Sequence, residues 1–380
     1  MHSFFRPSWK ARTRLFSTIH QIYESPSSSY SSRIIDVSFL AAEMRQSVRA
    51  WTSAHKRHGQ PPIKLAGVMA NGPERLEAEK YSAFIQATFE QDGLDYELFH
   101  CDFEPQAVEA TIHTLNQCDD VDGILVFYPL FPQRTLDYGK ETQMFVDHTT
   151  GVHFRKALPP IYLNSNTGVY YKTIDDYLRD CVIPSKDVEG LCHTYKASWQ
   201  KQLFRSRGGT LRSSNDIYIP CTARAVMKIL EEYHPEAPVD SSLNQTTQKR
   251  WSNTTATVIN RSSILGHPLA GMLALGGATV FSVDERSIIR FDDGGKMSRC
   301  HDTTVDDCLR RSQVVVTAVP VQGYAVDYNS VADFATVVNV SEHENIDVGS
   351  LLTKKRGIRF VPSVGKITIA ALEQALLKLP

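Results

Sequence analysis

The sequence lacks any apolar run long enough to cross a bilayer, and it lacks an excess of charge of either sign. Its 380 residues carry 41 basic and 42 acidic side chains, for a formal net charge of −1. A balanced surface of this kind offers no large basic field to nucleic acid or to an anionic membrane. We therefore expect a small-molecule substrate, with no nucleic-acid and no membrane partner.

Cysteine is also scarce, and its spacing argues against a disulfide framework. The seven cysteines are odd in number and scattered, with no CxxC pair. This usage is typical of reduced thiols in an intracellular protein. Cys300, His301 and Cys308 are three candidate ligands close in sequence, but a structural zinc site usually needs four. We predict no metal site.

The most informative feature present is a strand–helix–strand unit in the C-terminal half. β-Branched residues at 257–259 predict a buried strand, and Gly266 opens an apolar helix that ends at Gly276. A second strand at 278–283 leads into a carboxylate, Asp284. In units of this kind the helix N-terminus binds a pyrophosphate, and the acid after the second strand receives ribose hydroxyls.

The glycine pattern of this unit is imperfect. Asn260 and Ser262 stand where two glycines are usual, although Asp284 follows at close to the usual distance of roughly 20 residues. The pattern favours a dinucleotide cofactor. The alternative is a structural unit in which Asp284 only caps a strand.

Strands and helices also alternate along the N-terminal half, which predicts a parallel sheet with right-handed crossovers. The alternation of strands and helices stops over 134–180, where short aromatic and proline-containing pieces show no clear helical or strand repeat. A linker helix at 222–233 and a polar loop at 238–253 then lead into the strand–helix–strand unit. The other predicted elements are helices 34–54, 74–91, 105–117 and 368–377, and strands 63–68, 96–101, 123–128, 313–318, 335–340 and 358–361.

The first 35 residues differ in composition from the rest. Basic residues outnumber the single acid, Glu24, and serines cluster at 27–32. Such a composition is typical of a mitochondrial transit peptide. A disordered extension or a misplaced start codon explains it equally well.

Six short motifs occur in order along residues 34–380. They are Tyr81, Gly123-Ile-Leu-Val-Phe-Tyr-Pro129, Lys186-Asp-Val-Glu-Gly190, Pro220-Cys-Thr222, the loop Asn260–Pro268, and Pro362-Ser-Val-Gly-Lys-Ile-Thr368. Together they resemble the methylenetetrahydrofolate dehydrogenase/cyclohydrolase family. The resemblance implies an α/β fold with two domains flanking a cleft. An N-terminal folate-binding α/β domain would span 36–220, completed by a C-terminal helix at 368–380, and a Rossmann-type NAD-binding domain would span 221–367.

Two departures from the family pattern narrow the activity. Bifunctional members carry a lysine four residues after the motif tyrosine and a glutamine in the third-strand motif, where this chain has Ile85 and Phe127. Lys80 cannot replace that lysine, because it lies roughly 140° around a helix from Ile85. Losing both polar groups removes the means of activating water but leaves hydride transfer intact. The pattern is similar to the monofunctional, NAD-dependent branch, without cyclohydrolase activity.

The resemblance also implies a site. Tyr81, Asp187 and Glu189 would act at the reacting folate, with no side chain as an obligatory acid or base. Taken alone, Tyr81 indicates a core aromatic, and the two acids indicate a turn cap before Gly190. The folate-contacting residues would be Tyr81, Phe127, Tyr128, Pro129, Asp187, Glu189, Gly365 and Thr368, and the NAD-contacting residues Asn260, Arg261, Ser262, Gly266, Pro268, Asp284, Val319 and Pro320.

Asp284 predicts NAD rather than NADP as the cofactor. A carboxylate at the ribose accepts hydrogen bonds from both hydroxyls and repels a 2′-phosphate. Arg261 complicates this prediction, since a guanidinium in the loop can bind either a pyrophosphate or a 2′-phosphate.

An insertion is expected at about 141–172, because the chain from the third-strand motif to 186–190 is much longer than the family's. Because its aromatic residues and prolines follow neither a helical nor a strand repeat, we predict a mobile surface segment. A lid over the site and a translated intron are the alternatives. Deletion of 141–172 is expected to leave the fold and the activity largely intact.

We therefore expect an NAD-dependent dehydrogenase of one-carbon metabolism and purine biosynthesis that forms a homodimer. We expect it in the cytoplasm, where the branch it resembles is typically found, rather than in mitochondria. The alternatives are a catalytically silent NAD or folate sensor, and another Rossmann dehydrogenase of the shikimate or amino-acid type.

Overall fold

Mostly parallel strands form two main sheets in the computed structural model. The structure describes residues 31–72, 75–131, 171, 173–197, 219–235, 250–292 and 296–379, with the backbone of four short strands between 144 and 170. The strands are β1 (Arg33–Ile34), β2 (Lys64–Ala70), β3 (Asp95–Cys101), β4 (Gly123–Val126), β5 (Met144–Val146), β6 (His153–Arg155), β7 (Leu163–Asn164), β8 (Val169–Tyr170), β9 (Thr255–Ile259), β10 (Thr279–Asp284), β11 (Ser287–Phe291), β12 (Met297–Cys300), β13 (Val314–Thr317), β14 (Thr336–Asn339) and β15 (Arg359–Val361). The helices are α1 (Ser38–Arg57), α2 (Arg75–Asp92), α3 (Pro105–Asn116), α4 (Ile174–Cys181), α5 (Cys221–Tyr233), α6 (Gly266–Leu275), α7 (Val305–Arg311), α8 (Val348–Lys354) and α9 (Gly365–Leu376).

The first sheet has three parallel strands in the order β3-β2-β4. Its central strand β2 is apolar and almost entirely buried, as expected for a strand covered on both faces. Helix α2 ends before Gly93, whose φ of 77° suits glycine. Helix α3 starts at Pro105, which needs no amide partner there. The predicted alternation of strands and helices is confirmed here.

The second sheet has eight strands in the order β1-β15-β14-β13-β9-β10-β11-β12. Strand β9 lies between β10 and β13, parallel to both. After β9 the chain adds β10, β11 and β12 on one side of this strand. It then crosses back and adds β13, β14 and β15 on the other side. In open parallel sheets a ligand binds outside the carboxyl ends of the strands at such a reversal.

Helix α9 returns from the second sheet to pack against α1 and α5. The Gln374 amide donates to the Met44 carbonyl at 3.0 Å, and Arg224 donates to Gln374 Oε1 at 2.6 Å. The last helix thus joins elements distant in sequence, as the resemblance implied. It begins at Gly365, one turn before the predicted start at residue 368.

Three predicted assignments are wrong. Ile34 belongs to β1 and pairs with Phe360, so the first helix begins only at Ser38. No strand is predicted between Asp284 and residue 313, but β11 and β12 lie there and run antiparallel. Helix α4 lies in the segment predicted to have no period, and Thr173 caps it.

The predicted insertion at 141–172 contains two antiparallel strand pairs, β5–β6 and β7–β8. Tyr171, near its end, is buried and hydrogen-bonds to Asp180. The predicted location on the surface is therefore wrong for Tyr171, and most of the insertion lies outside the described residues. Residues 1–30 of the predicted extension also lie outside them. No helix in the described part of the chain is long and apolar enough to cross a membrane.

Candidate active site

Two aromatic side chains from the first sheet's layer meet at the predicted folate side. Tyr81, on α2, is partly buried, and its ring stands edge-on to Phe127 with centroids 6.4 Å apart. Burial, and next the nearby Glu189 carboxylate, raise the pKa of the Tyr81 phenol far above its ordinary value. Tyr81 is therefore a neutral hydrogen-bond donor with an apolar face.

The residues after Phe127 shape the same region. A cis peptide bond joins Tyr128 to Pro129, and a small pocket opens beside Phe127 and Pro129. The Tyr128 hydroxyl is buried and has no hydrogen-bond partner among the described residues. An orphaned buried hydroxyl is rare in a purely structural position. Its presence favours a binding role for this turn.

The two predicted acids have different surroundings. Asp187 is buried and accepts the Gly190 amide at 2.9 Å and the Cys192 amide at 2.8 Å, one on each oxygen. It therefore caps its own turn, which was the structural alternative for this pair. Burial raises the pKa of Asp187 to about 6, against these hydrogen bonds. Glu189 is the acid whose charge acts on Tyr81 and Tyr128.

Opposing effects act on the pKa of Glu189. Burial first, and then the Asp187 carboxylate, raise the pKa of Glu189 to about 8. The positive charge of Arg179 opposes this rise. Glu189 thus titrates near neutral pH, as functional carboxylates in partly dry sites often do.

The loop between β9 and α6 has the geometry of a dinucleotide cradle. Asn260 occupies the glycine position with a φ of 83°, in the left-handed region that asparagine tolerates best after glycine. A Cβ added to Gly266 would lie 1.9 Å from the Asn260 carbonyl oxygen, so only glycine fits there. Ser262 Oγ accepts the Leu265 amide at 3.2 Å. Pro268 is buried in the first turn of α6.

This arrangement fits a bound dinucleotide on chemical grounds. The N-terminus of the ten-residue helix α6 lies at the carboxyl end of β9, where amides and the helix dipole favour an anion. Asn260 Nδ2 donates to the Ala318 carbonyl at 2.5 Å, which joins the ends of β9 and β13 across the point where strand order reverses. Residues 260–268 would hold the pyrophosphate, and Asp284 the ribose.

Arg261 is committed to the protein itself. Its guanidinium donates to Ser282 Oγ at 3.0 Å, the Ser282 carbonyl at 2.5 Å, Ser287 Oγ at 3.0 Å and the Ser287 carbonyl at 2.9 Å. It also pairs with Asp284 at 3.7 Å, whose own side chain is about half exposed. Arg261 therefore braces the end of β10 and the start of β11 beside Asp284.

Val319 and Pro320 follow β13 on the same edge of the sheet. The Val319 amide donates to Asn345 Oδ1 at 2.9 Å, and its carbonyl accepts from Ser341 Oγ at 2.8 Å. Pro320 is exposed. Asn345 is fully buried and was not predicted. Only the fold brings it to this turn.

Gly365 and Thr368 lie in the first turn of α9 rather than in a loop. Thr368 Oγ1 donates to the Val364 carbonyl at 3.1 Å. Lys366, between them, donates to Ser38 Oγ at 2.5 Å. This turn is therefore held against the start of α1.

Arg179, on α4, was not predicted. Its Nη1 donates to Ser263 Oγ at 3.0 Å, and its guanidinium lies 4.8 Å from the Tyr128 ring centroid. It thus contacts both the predicted folate side and the cofactor loop. The capping Thr173 with the acids Asp175 and Asp176 behind it is a helix-start signal that predicts α4 from sequence. The spatial position of Arg179 carries no sequence signal.

Outside this site, one cluster of described side chains consists of metal-ligating residue types. The side chains of Glu109, His113 and Cys181 bring ligand atoms within 4.8 Å of one another. Burial raises the pKa of the Cys181 thiol to about 12, which disfavours the thiolate a metal requires. Cys300, His301 and Cys308 do not form such a group.

Comparisons with known proteins agree with this geometry. The family model for the tetrahydrofolate dehydrogenase/cyclohydrolase catalytic domain matches residues 35–144. The methylenetetrahydrofolate dehydrogenase (NAD(+)) of Schizosaccharomyces pombe is 31% identical over 325 residues, covering 83% of this chain and 84% of that protein. The corresponding enzyme of Saccharomyces cerevisiae is 28% identical over 348 residues, covering 89% and 91%.

Solved structures are similar over nearly the whole chain. The NAD-dependent 5,10-methylenetetrahydrofolate dehydrogenase of Saccharomyces cerevisiae superposes with a TM-score of 0.66 at 27% identity, covering 92% of this chain and 97% of that one. A bifunctional dehydrogenase/cyclohydrolase from Campylobacter jejuni, at 20% identity and a TM-score of 0.60, covers 92% and 98% and supports the fold alone. With this similarity in sequence and in the matched catalytic domain, the chain belongs to the tetrahydrofolate dehydrogenase/cyclohydrolase family.

Proposed function

We propose that this protein oxidises 5,10-methylenetetrahydrofolate to 5,10-methenyltetrahydrofolate, with NAD⁺ as the hydride acceptor. The observation that carries the proposal is the double contact of Arg179. One guanidinium touches Tyr128 on the folate side and Ser263 in the cofactor loop. The two binding regions therefore adjoin, as hydride transfer requires, since the reacting atoms must approach to roughly 3–3.5 Å.

Residues on the folate side bind and orient the pterin. A pterin presents adjacent N–H donors, which a carboxylate matches with two charge-assisted hydrogen bonds. Glu189 supports this role better than Asp187, whose two oxygens already accept amides of its own turn. Tyr81 and Phe127 supply aromatic surface beside the ring system.

Residues on the cofactor side orient the dinucleotide. NAD⁺, when bound, supplies the hydride acceptor. The N-terminus of α6 favours the pyrophosphate, and Asp284 accepts the ribose hydroxyls. The reaction moves a hydride from the methylene carbon and leaves a cation shared by the two folate nitrogens. No proton shuttle is needed for this step.

The same site lacks the means for hydrolysis of the methenyl product. Ile85 is fully buried in the apolar core, and Phe127 is apolar. Lys80 is exposed and pairs with Glu77 at 2.7 Å. No lysine or glutamine at these positions can activate water, so we propose a monofunctional dehydrogenase.

The direct test is a spectrophotometric assay for methenyl product with purified, folded protein and NAD⁺. Turnover at a steady rate supports the proposal. Absence of turnover overturns it. Calorimetry on the same sample then identifies a silent folate sensor, which binds folate without chemistry. A dehydrogenase of the shikimate or amino-acid type binds NAD⁺ but not folate and turns over its own substrate, whereas a silent NAD sensor turns over none.

We further propose a homodimer in the cytoplasm that supplies one-carbon units for purine biosynthesis. Light scattering on the purified protein tests the dimer. A fluorescent fusion with and without residues 1–35 tests the location, and import of the longer form alone into mitochondria would contradict it. Purine auxotrophy after gene deletion tests the metabolic role.

A further inference from the structure

Arg179 lies at the junction of the two binding regions and is 11% exposed. Its Nη1 donates to Asp176 Oδ1 at 2.8 Å, three residues earlier on the same helix, and to Ser263 Oγ at 3.0 Å. The guanidinium carbon lies 4.8 Å from the Tyr128 ring centroid, within the range of a cation–π contact. One side chain thus joins α4, the turn after β4 and the cofactor loop.

Two polar atoms at this junction have no partner among the described residues. They are Arg179 Nε and the Tyr128 hydroxyl, and both are buried. Buried donors are nearly always satisfied in structural positions. Their presence together indicates a place that receives polar ligand groups.

The charge of Arg179 also reaches the folate side. It is the positive charge that opposes the rise in the pKa of Glu189. The other titratable groups around Glu189 either are acidic or are phenols and a thiol with raised pKa values. They are Asp187 in the same turn, Tyr81 on α2, Tyr128 after β4 and Cys221 at the start of α5.

We propose that Arg179 is a positioning residue of the dehydrogenase site, joining the cofactor loop, through Ser263, to the folate side, through Tyr128. This inference rests on the proposed function. It assigns two separable duties to one residue. The hydrogen bond to Ser263 orients the loop that binds NAD⁺, and the fixed charge favours the carboxylate form of Glu189 that binds the pterin.

Different substitutions remove the two roles of Arg179. A lysine keeps the positive charge but lacks the guanidinium whose Nη1 donates to both Asp176 and Ser263. A glutamine removes the charge as well. Ser263→Ala removes only the loop contact and keeps the charge.

The binding arm of the test needs no turnover. We expect Arg179→Gln, Arg179→Lys and Ser263→Ala each to raise the Kd of NAD⁺ by calorimetry, by roughly tenfold for a lost charged hydrogen bond. The double variant Arg179→Gln with Ser263→Ala should be no weaker than either single variant, because both remove the same contact. Additive losses, or an unchanged Kd, overturn the loop-holding role.

The pH arm tests the charge. In Arg179→Gln the acidic limb of kcat/KM should move to higher pH, because Glu189 loses its opposing charge. In Arg179→Lys and Ser263→Ala the limb should stay in place. An unmoved limb in Arg179→Gln overturns the electrostatic role. Fluorescence-monitored pH titration of bound folate reports the same shift without catalysis.

Arg310 provides the matched control. It lies on α7 and is not among the residues assigned to either binding region. It pairs with Asp307, three residues earlier, at 3.3 Å, and donates to Ser330 Oγ at 3.3 Å. Arg310→Gln should leave the NAD⁺ Kd and the pH profile unchanged. Absence of turnover in the wild-type protein would overturn the proposed function. The calorimetric Kd values for NAD⁺ would still decide whether Arg179 holds the cofactor loop. Variants of Arg179 that behave like Arg310→Gln in an active enzyme would defeat this inference alone.

Discussion

Arg261 and Asp284 form an ion pair at the carboxyl ends of β9 and β10, with Nη1 and Oδ2 3.7 Å apart. The guanidinium is held by hydrogen bonds to Ser282 and Ser287, and burial lowers its pKa although Asp284 opposes this. The carboxylate is about half exposed. The acid is therefore the group of this pair that remains open to a ribose.

Substitution of Asp284 tests cofactor choice. Asp284→Ser should lower the ratio of kcat/KM for NAD⁺ to that for NADP⁺ by at least about tenfold, because it removes the repulsion of a 2′-phosphate. Steady-state kinetics with both cofactors measure this. Glu285→Gln, which removes the same charge from the adjacent exposed residue, should leave the ratio unchanged. An unaltered ratio in Asp284→Ser would place the determinant in Arg261 or elsewhere in the loop.

Substitution of Gly266 tests the cradle. Gly266→Ala should raise the Kd of NAD⁺ and lower the melting temperature, because the new Cβ would meet the Asn260 carbonyl at 1.9 Å. Gly349→Ala is the control, since a Cβ there meets only the Asp347 carboxylate at 3.5 Å. Asn260→Gly should keep the loop conformation, given its φ of 83°. Equal effects of the two alanine variants would contradict the tight packing of the loop.

The pH dependence of the reaction should follow Glu189. Its pKa is raised to about 8, so the carboxylate that we propose as the pterin ligand forms only as the pH rises through that value. We expect kcat/KM to increase with pH up to about 8, and Glu189→Gln to remove this limb and lower the maximum. A limb that persists in Glu189→Gln would assign the titration to another group. Asp187→Asn should instead lower the melting temperature, because Asp187 holds its own turn.

Cyclohydrolase activity should be absent. Methenyl-folate should hydrolyse at the same rate with and without the protein, because Ile85 and Phe127 replace the polar groups that step needs. Loss of its absorbance over time measures the rate. Lys80→Ala should change nothing, since Lys80 is exposed. An enzyme-dependent rate that survives Lys80→Ala would show that a different side chain activates water.

Stability should depend on a buried acid far from the site. Glu373, on α9, is fully buried near Asp92, and burial followed by the Asp92 charge raises its pKa to about 9 from an ordinary 4.5. The folded state thus keeps a proton that the unfolded chain loses above 4.5. The contribution of Glu373 to the free energy of unfolding therefore falls as the pH rises from 4.5 towards 9.

Glu373→Gln removes this dependence. It should stabilise the protein at pH 8 by roughly 1–3 kcal/mol, with little effect at pH 5. Denaturant unfolding at both pH values measures the difference. Glu342→Gln, at an exposed position, is the control. Equal stabilisation at both pH values would show that burial does not keep Glu373 protonated in the folded protein.

Much of the fold follows from local pattern. Apolar runs of strand length, helix stops such as Gly93 and the acid after β10 are short-range signals, so the alternating elements and their order were predictable from the sequence. The replacement of polar groups by Ile85 and Phe127 was equally visible, because it depends on residue identity at motif positions. The family similarity confirmed the resulting fold and family.

Tertiary structure decided the features that depend on distant partners. Asn260 adopts a glycine conformation because its amide is held by Ala318 on another strand. Asp187 caps its turn, so Glu189 is left as the acid acting on the folate side. Arg179 joins the two binding regions only because α4 packs where Tyr128 and Ser263 converge. A side chain's local sequence sets its chemistry, but packing between segments far apart in the chain sets what that chemistry touches.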